Sequence, residues 1–351
     1  MLTKARSAPL ALFAALSVVG LAACGGSSGS AVGASASATS QGSASAPTSA
    51  ASTHSGTASG KGKKVALIVG TSSDDFYKAI ECGAKLEAKK QGVVLNVQGP
   101  SQFDPALQVP IVNAVSASQP DAIIIAPTDD TALYPPLKAA ADAGAKILFV
   151  DTTLKNAGFG AGHIGSDYVL YGQQGAQQVA QLTGDKGTVL GIFSPPGVST
   201  NDLGRKGFSQ EMSKHQNIKV LPFEYSSGAP GKSAAILSAV LAAHPDLTGV
   251  FTFNGGDSEG VVTGLRQARA AGKVSFVSGD AQPFQVQQLK AGLVKALVVQ
   301  QARQMGILSI QNAIKALAGE SVAPETALPT VVGTSANLAT PEVADNLYQG
   351  C

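Results

Sequence analysis

The stretch Lys64–Ala84, KVALIVGTSSDDFYKAIECGA, decides the fold. Val65 to Val69 is an unbroken apolar run, as a parallel strand buried on both faces requires. It stops at Gly70-Thr71-Ser72-Ser73-Asp74, a small polar turn. A helix is expected from near Asp75, where acidic side chains suit the free N–H groups and positive dipole end of a first turn. Strand, polar turn and helix open an α/β sheet, and ligands collect at the carboxyl ends of such strands. That mouth carries a carboxylate, Asp74, beside two aromatic faces, Phe76 and Tyr77.

The same alternation runs on without interruption. Further strands are expected at Val93–Val97, Ala122–Ala126 and Lys146–Val150, with helices at Asp75–Gln91, Pro105–Ala117 and Asp130–Ala143. Asp104-Pro105 places a capping Asp before a Pro at the first helical position, and Gly144 ends the third helix. After Asp151 a looser segment passes Gly158, Gly160, Gly162 and Gly165 to Ser166-Asp167, and reads as a crossing between two lobes. A second run follows, with strands at Thr188–Phe193, Ile218–Phe223, Gly249–Phe253, Val274–Ser278 and Val294–Val299. Its helices are expected at Val169–Leu182, Leu203–His215, Lys232–Ala243, Ser258–Ala271, Pro283–Ala291 and Ala302–Ala318, before a last strand at Leu328–Val332. Two successive βα sheets with a loose crossing predict two lobes and a cleft between them.

A length of 351 residues accommodates two domains, and 44% hydrophobic with 14% charged residues describes a globular chain. A net charge of +2, without clustered Lys and Arg, offers no stripe to track a nucleic acid backbone. The first residues read as a targeting segment: Lys4 and Arg6 are its charged start, and Ala8 to Leu21 its apolar run. Leu21-Ala22-Ala23-Cys24 resembles the lipobox of bacterial lipoproteins, in which the Cys becomes the lipidated first residue. Residues 1–23 are therefore expected to be removed. Residues 24–62, almost wholly Ser, Ala, Gly and Thr, are expected to form a flexible stalk from lipidated Cys24. The folded part would lie outside the cell membrane, held by lipid alone. With Cys24 lipidated, Cys82 on the first helix and Cys351 at the end form an even pair. In an oxidising compartment that predicts a disulfide.

Two enzyme motifs present themselves and fail. Gly256-Asp257-Ser258-Glu259-Gly260 matches the nucleophile elbow G-x-S-x-G. An α/β-hydrolase needs its His after the Ser, whereas His54, His163, His215 and His244 all precede Ser258. Gly231-Lys232-Ser233 looks like the end of a P-loop, but the earlier Gly would be residue 226, which is Ser. The histidines lack metal-ligand spacing, so neither metal nor cofactor is expected. What recurs is polar groups at strand ends: Asp74, Asp151, Asn254, Asp280 and Gln300. Each alone could cap a helix or fix a turn. Together with Phe76 and Tyr77 they make a site of acceptors and flat apolar faces, suited to a small neutral polyhydroxylated ligand. No nucleophile stands with a base among them, so binding and not catalysis is expected.

Further marks stand beside these: Phe76-Tyr77, Ala126-Pro127-Thr128, Val150-Asp151, Gly207-Phe208, His244-Pro245-Asp246, Asn254 six residues before Gly260, Gly279-Asp280, and Gln300 six residues before Gly306. On them the chain resembles, over Lys63 to about Val332, the ribose-binding-like, type I periplasmic solute-binding proteins of ABC importers. The resemblance implies two Rossmann-like lobes with parallel sheets and a hinge of three crossings, near Ser166, Gln301 and Leu328. The lobes would be 63–166 with 301–328, and 167–300 with 329–336, the tail 337–351 returning to the first. It further implies that Phe76 and Tyr77 stack on the ligand while Asp151, Asn254, Asp280 and Gln300 bind its hydroxyls. Asp74 and Thr152 stand at the positions where a sugar-contacting Asn and an Arg are usual, and Gly204 where another Arg is common, with Arg205 one place off. Losing two bidentate cations argues against assuming ribose, glucose or galactose. The function implied is a monomeric, lipid-anchored receptor that hands a sugar, sugar alcohol or similar polyol to a permease and its ATPase. The rival is a signalling receptor that presents a small polar signal to a membrane sensor.

Overall fold

The computed structural model describes residues 59–351; the expected signal peptide, the lipidation site Cys24 and the stalk up to residue 58 lie outside the described residues. The first sheet draws on β1 (Lys64–Ile68), β2 (Val94–Gln98), β3 (Ala122–Ile125), β4 (Lys146–Val150) and β5 (Gly160–Ser166). Helices α1 (Asp75–Gln91), α2 (Pro105–Ala117) and α3 (Tyr134–Asp142) connect them. Then come α4 (Tyr168–Thr183), β6 (Gly187–Phe193), α5 (Ser199–Met212), β7 (Ile218–Val220), β8 (Glu224–Tyr225) and α6 (Pro230–Ala243). They are followed by β9 (Leu247–Thr252), α7 (Gly255–Gln267), β10 (Ser275–Gly279), α8 (Pro283–Lys290) and β11 (Ala296–Val299). The chain closes with α9 (Ala302–Leu317), β12 (Glu325–Leu328), β13 (Val331–Gly333) and α10 (Pro341–Ala344).

Strands of the first sheet lie in the order β12-β5-β4-β3-β1-β2, all parallel. The second sheet runs β13-β11-β10-β9-β6-β7, with β8 also on β6, and only β13 is antiparallel. Helices cover both faces of each sheet, which is why the strands read as continuous apolar runs. On β1, Val65 and Leu67 join the core that holds Ile80 of α1 and Met305 of α9. The intervening Ala66 and Ile68 join a separate core with Val112 of α2 and Leu137 of α3. All of β3 is buried; each such isoleucine contributes roughly 1.5–3 kcal/mol over its exposed state.

Two glycines show why the helices leave the strand ends at fixed angles. A β-carbon at Gly306 would lie 1.9 Å from the Ile80 carbonyl oxygen, and one at Gly260 would lie 2.1 Å from that of Pro230. The helices that follow Gln300 and Asn254 can therefore pack backbone to backbone on their neighbours only because these residues lack a side chain.

The chain passes between the sheets three times: from β5 into α4, from β11 into α9, and from β12 into β13. The glycine-rich segment read as a loose crossing is in fact a strand, β5, between β4 and β12. Its glycines mark close approach, since a β-carbon at Gly160 would sit 2.5 Å from Phe149 and one at Gly162 would sit 2.8 Å from the Ala323 carbonyl. Helix α3 starts at Tyr134 instead of Asp130, because the Asp129 carboxylate accepts from the Thr131 and Ala132 amides and holds a turn there. Of the expected strand Ile218–Phe223 only Ile218–Val220 forms, as β7, and β8 begins just past it at Glu224. Cys82 and Cys351 are disulfide-bonded, with α-carbons 5.3 Å apart.

A candidate ligand site in the interlobe cleft

The carboxyl ends of β1 and β4 face those of β6, β9, β10 and β11 across a cavity of 610 Å³. Asp74, Phe76, Tyr77, Asp151, Thr152, Asn254, Asp280 and Gln300 all line it. That volume falls in the range of small-molecule sites, about 300–1,000 Å³. The lining includes five carboxylates, counting Asp104 and Glu259, but no Lys, Arg or His.

Asp74 caps α1 by accepting from the Phe76 amide, and the same oxygen accepts from Gln282 Nε2 on the opposite lobe. Burial, chiefly, pushes its carboxyl up to about 6. The Phe76 and Tyr77 rings meet edge to face, with centroids 5.2 Å apart. Tyr77 has a task beyond presenting a face: its hydroxyl donates to Asp151 Oδ2 at 2.7 Å. Tyr168 donates to Asp151 Oδ1 at 2.7 Å, so both oxygens are held. Asp151 has φ +63°, a left-handed conformation that turns its side chain off the end of β4. Burial raises its pKa, against the lowering effect of the two tyrosines. Thr152 is buried and donates its hydroxyl to the Pro127 carbonyl at 2.7 Å.

On the facing lobe, Asn254 Nδ2 donates to Ser194 Oγ at 3.2 Å and Asp257 Oδ2 at 3.1 Å. Asp280, with φ +68°, accepts from the Gly255 amide at 2.9 Å, Gln300 Nε2 at 3.0 Å and the Tyr348 hydroxyl at 3.0 Å. Burial, with the nearby Asp74 charge second, pushes its carboxyl up to about 7. Gln300 also accepts from Ser166 Oγ at 3.0 Å, which joins the site to the first crossing.

Three hydrogen bonds join the facing rims: Gln282 Nε2 to Asp74, the Thr153 amide to Ser199 Oγ at 3.0 Å, and the Asp130 amide to the Gly197 carbonyl at 3.2 Å. The lobes are closed over the cavity. The space an arginine at position 204 would need is filled by Phe253, since a β-carbon at Gly204 would lie 2.0 Å from that ring. Arg205 pairs with Asp202 at 2.7 Å instead and does not line the cavity.

Sequence reasoning missed Gln282, Tyr168, Tyr348 and also Asn201, which lines the cavity and whose Oδ1 accepts from the Ser194 amide at 2.8 Å. Gln282 had a signal, two positions beyond Asp280 after the same strand; Tyr348, in the tail, had none. The two enzyme motifs are structural. Ser258 is fully buried, bonded to Thr252 Oγ1 at 2.7 Å and Ser278 Oγ at 2.5 Å, and Ser233 donates to the Ala229 and Pro230 carbonyls.

The sequence family described as periplasmic binding protein domain matches residues 65–321. A D-ribose/D-allose-binding protein of Pseudomonas aeruginosa is 29% identical over 284 residues, 79% of this chain and 88% of that one. The ribose import binding protein of Escherichia coli is 29% identical over 260 residues, 74% of this chain and 86% of that one. Among solved structures, an ABC transporter solute-binding protein from Agrobacterium vitis, bound with alpha-D-tagatopyranose, superposes with a TM-score of 0.79. It is 38% identical and the match covers 82% of this chain and 99% of that one. A second from the same organism, with bound D-fucose, gives 0.78 at 27% identity, over 81% and 99%.

Proposed function

Because this chain belongs to the periplasmic binding protein family, we propose that it is the extracytoplasmic solute-binding receptor of an ABC importer for a sugar, sugar alcohol or similar small polyol. The observation that carries this reading is the closed cavity whose walls are carboxylates, amides and aromatic rings from the strand ends of both lobes. Such walls accept hydrogen bonds from many hydroxyls and cover C–H faces. In this reading Asp74, Asp151, Asn254, Asp280 and Gln300 hydrogen-bond the ligand, Phe76 and Tyr77 pack on it, and Thr152 shapes the wall. The absence of a lining arginine directs the preference toward ligands recognised through their hydroxyl donors. Residues 63–166 with 301–328 and residues 167–300 with 329–336 act as the two lobes. They bend at the three crossings, so ligand capture and closure form one equilibrium. The closed form is then offered to a permease with its ATPase, by a monomer tethered through lipid on Cys24.

Thermal melting against D-ribose, D-allose, D-tagatose, D-fucose, D-arabinose and erythritol tests this. At a hundredfold excess over its dissociation constant, a true ligand stabilises by about 2.7 kcal/mol. A panel in which only amino acids or nucleotides raise the melting temperature refutes the sugar reading. Mass spectrometry of the mature protein tests the anchor, which requires a diacylglyceryl group on an N-terminal Cys24.

A further inference from the structure

The C-terminal tail does more than return to the first helix. It lies first on the second sheet, where Val343 of α10 packs beside Gly333 of β13. At Tyr348 it enters the space behind the cavity. The Tyr348 ring is 2% exposed and sits 5.4 Å from that of Phe76, a cavity wall on the other lobe. Its hydroxyl donates to Asp280 Oδ1 at 3.0 Å and accepts from the Gln300 amide at 3.3 Å, so one phenol orients two lining residues. The Tyr348 amide donates to the Ala281 carbonyl at 3.1 Å. Three residues later Cys351 is bonded to Cys82, a buried residue of α1 in the first lobe. The tail is therefore attached to both lobes, and its middle is built into the site.

We propose that the tail is a strap: Tyr348 is a positioning residue of the ligand site, and the Cys82–Cys351 bond holds it on Asp280. This deepens, and rests on, the sugar-receptor reading. Tethering residue 351 keeps the phenol near Asp280 at high effective concentration and limits the ways the tail can leave as the lobes open. Without the bond the tail is held by α10 and its own packing alone. The tyrosine then spends time off the carboxylate, which loses a donor to its charged form and also part of the burial that chiefly raises its pKa. Asp74, Gln300, Tyr171 and the Gly255 amide face Asp280 from the other elements and are unchanged by the substitutions below.

The test compares the parent protein with Tyr348→Phe, which keeps the ring, and with Cys351→Ser, which leaves Tyr348 in the sequence. Titration of the Asp280 carboxyl by carbon NMR in the ligand-free protein is the first readout. Tyr348→Phe should move its midpoint upward, since the charged form loses a donor while the ring keeps it buried, a change that lost packing alone would not produce. Cys351→Ser should move it downward, because water that replaces the ring relieves the burial that chiefly raises it. The second readout is affinity for D-tagatose, D-ribose and D-allose, which should fall at least threefold in both variants for any sugar the parent binds. An Asp280 midpoint unmoved by Tyr348→Phe overturns the positioning role. A midpoint moved by Tyr348→Phe but untouched by Cys351→Ser overturns the strap. If no sugar binds the parent, the sugar reading fails, and the titration still decides the strap.

Discussion

Replacing Asp280 by Asn exchanges one atom and removes a charge that the buried cavity wall holds poorly. Burial and the neighbouring Asp74 carry the Asp280 carboxyl from 3.8 up to about 7. In the unfolded chain it titrates near 3.9, so across this window the folded protein binds more protons than the unfolded one. Stability must then fall as pH rises from about 4 to 7, with the full cost present above 7. Three pH units correspond to roughly 4 kcal/mol, reduced to roughly 2–4 by relaxation and water entry. Asparagine avoids this cost and keeps the contacts. Its oxygen can accept from Gly255, while the Tyr348 hydroxyl and the Gln300 amide can turn to accept from its nitrogen. Urea unfolding of ligand-free parent and Asp280→Asn from pH 4 to 8 measures the difference. The variant should be the more stable by roughly 2–4 kcal/mol at pH 8, by less than half that at pH 5, and by almost nothing at pH 4. Because Asp74 and Asp280 titrate together, the midpoint belongs to the pair. A difference that is flat with pH, or a parent more stable than the variant at pH 8, refutes the reasoning.

Asn254→Ala should weaken sugar binding by roughly 1–3 kcal/mol with far-UV circular dichroism unchanged, since a buried ligand hydroxyl loses its partner; calorimetry measures the first and a changed spectrum would mean a structural role. Asp151→Ala should cost roughly 2–4 kcal/mol of stability as well as affinity, because the buried Tyr77 and Tyr168 hydroxyls are both left without an acceptor; equal melting temperatures would contradict this. His163 faces Glu325 through Nδ1 at 2.8 Å and the Asp151 carbonyl through Nε2 at 2.8 Å, two acceptors that a doubly protonated ring satisfies. Burial opposes that charge, but Glu325 outweighs it and the pKa is raised. The stabilisation is thus complete below about pH 6.5 and lost as pH climbs through the folded pKa. Glu325→Gln should lower the His163 midpoint by NMR, and an unmoved midpoint would disprove the pairing. Gly306→Ala should destabilise by roughly 1–3 kcal/mol through collision with the Ile80 carbonyl, and a melting temperature at or above the parent's would show that α1 and α9 part freely.

The α/β class was legible because buried parallel strands leave continuous apolar runs, and Val65–Val69 or Ala122–Ala126 can be little else. Strand-end polar residues were legible for a related reason: the side chains just past such strands reach the cleft, and all eight residues named from sequence line the cavity. What escaped notice depends on distance along the chain. Nothing near Gly160 or Gly162 tells a strand with close neighbours from a loose linker; the Phe149 ring lies 11 residues from Gly160 and the Ala323 carbonyl 161 residues from Gly162. Likewise no local pattern marks Tyr348 as a partner of Asp280, 68 positions earlier. The disulfide was readable only through counting, since its partners are separated by 269 residues.

The discontinuous first sheet carries a consequence for the order in which the protein can assemble. Its edge strand β12 and its covering helix α9 are encoded after the whole of the second sheet except β13. During vectorial synthesis and export, the earlier half therefore emerges with β5 unpaired on one side and the apolar groove over α1 uncovered. The second sheet, nearly contiguous from β6 to β11, has most of what it needs sooner. Such long-range closure is slow, and an open strand edge is the surface on which unfinished chains associate. Overexpression without matching export capacity should thus fail first through that half, with aggregates nucleated at β5 before residues 302–328 arrive to seal it.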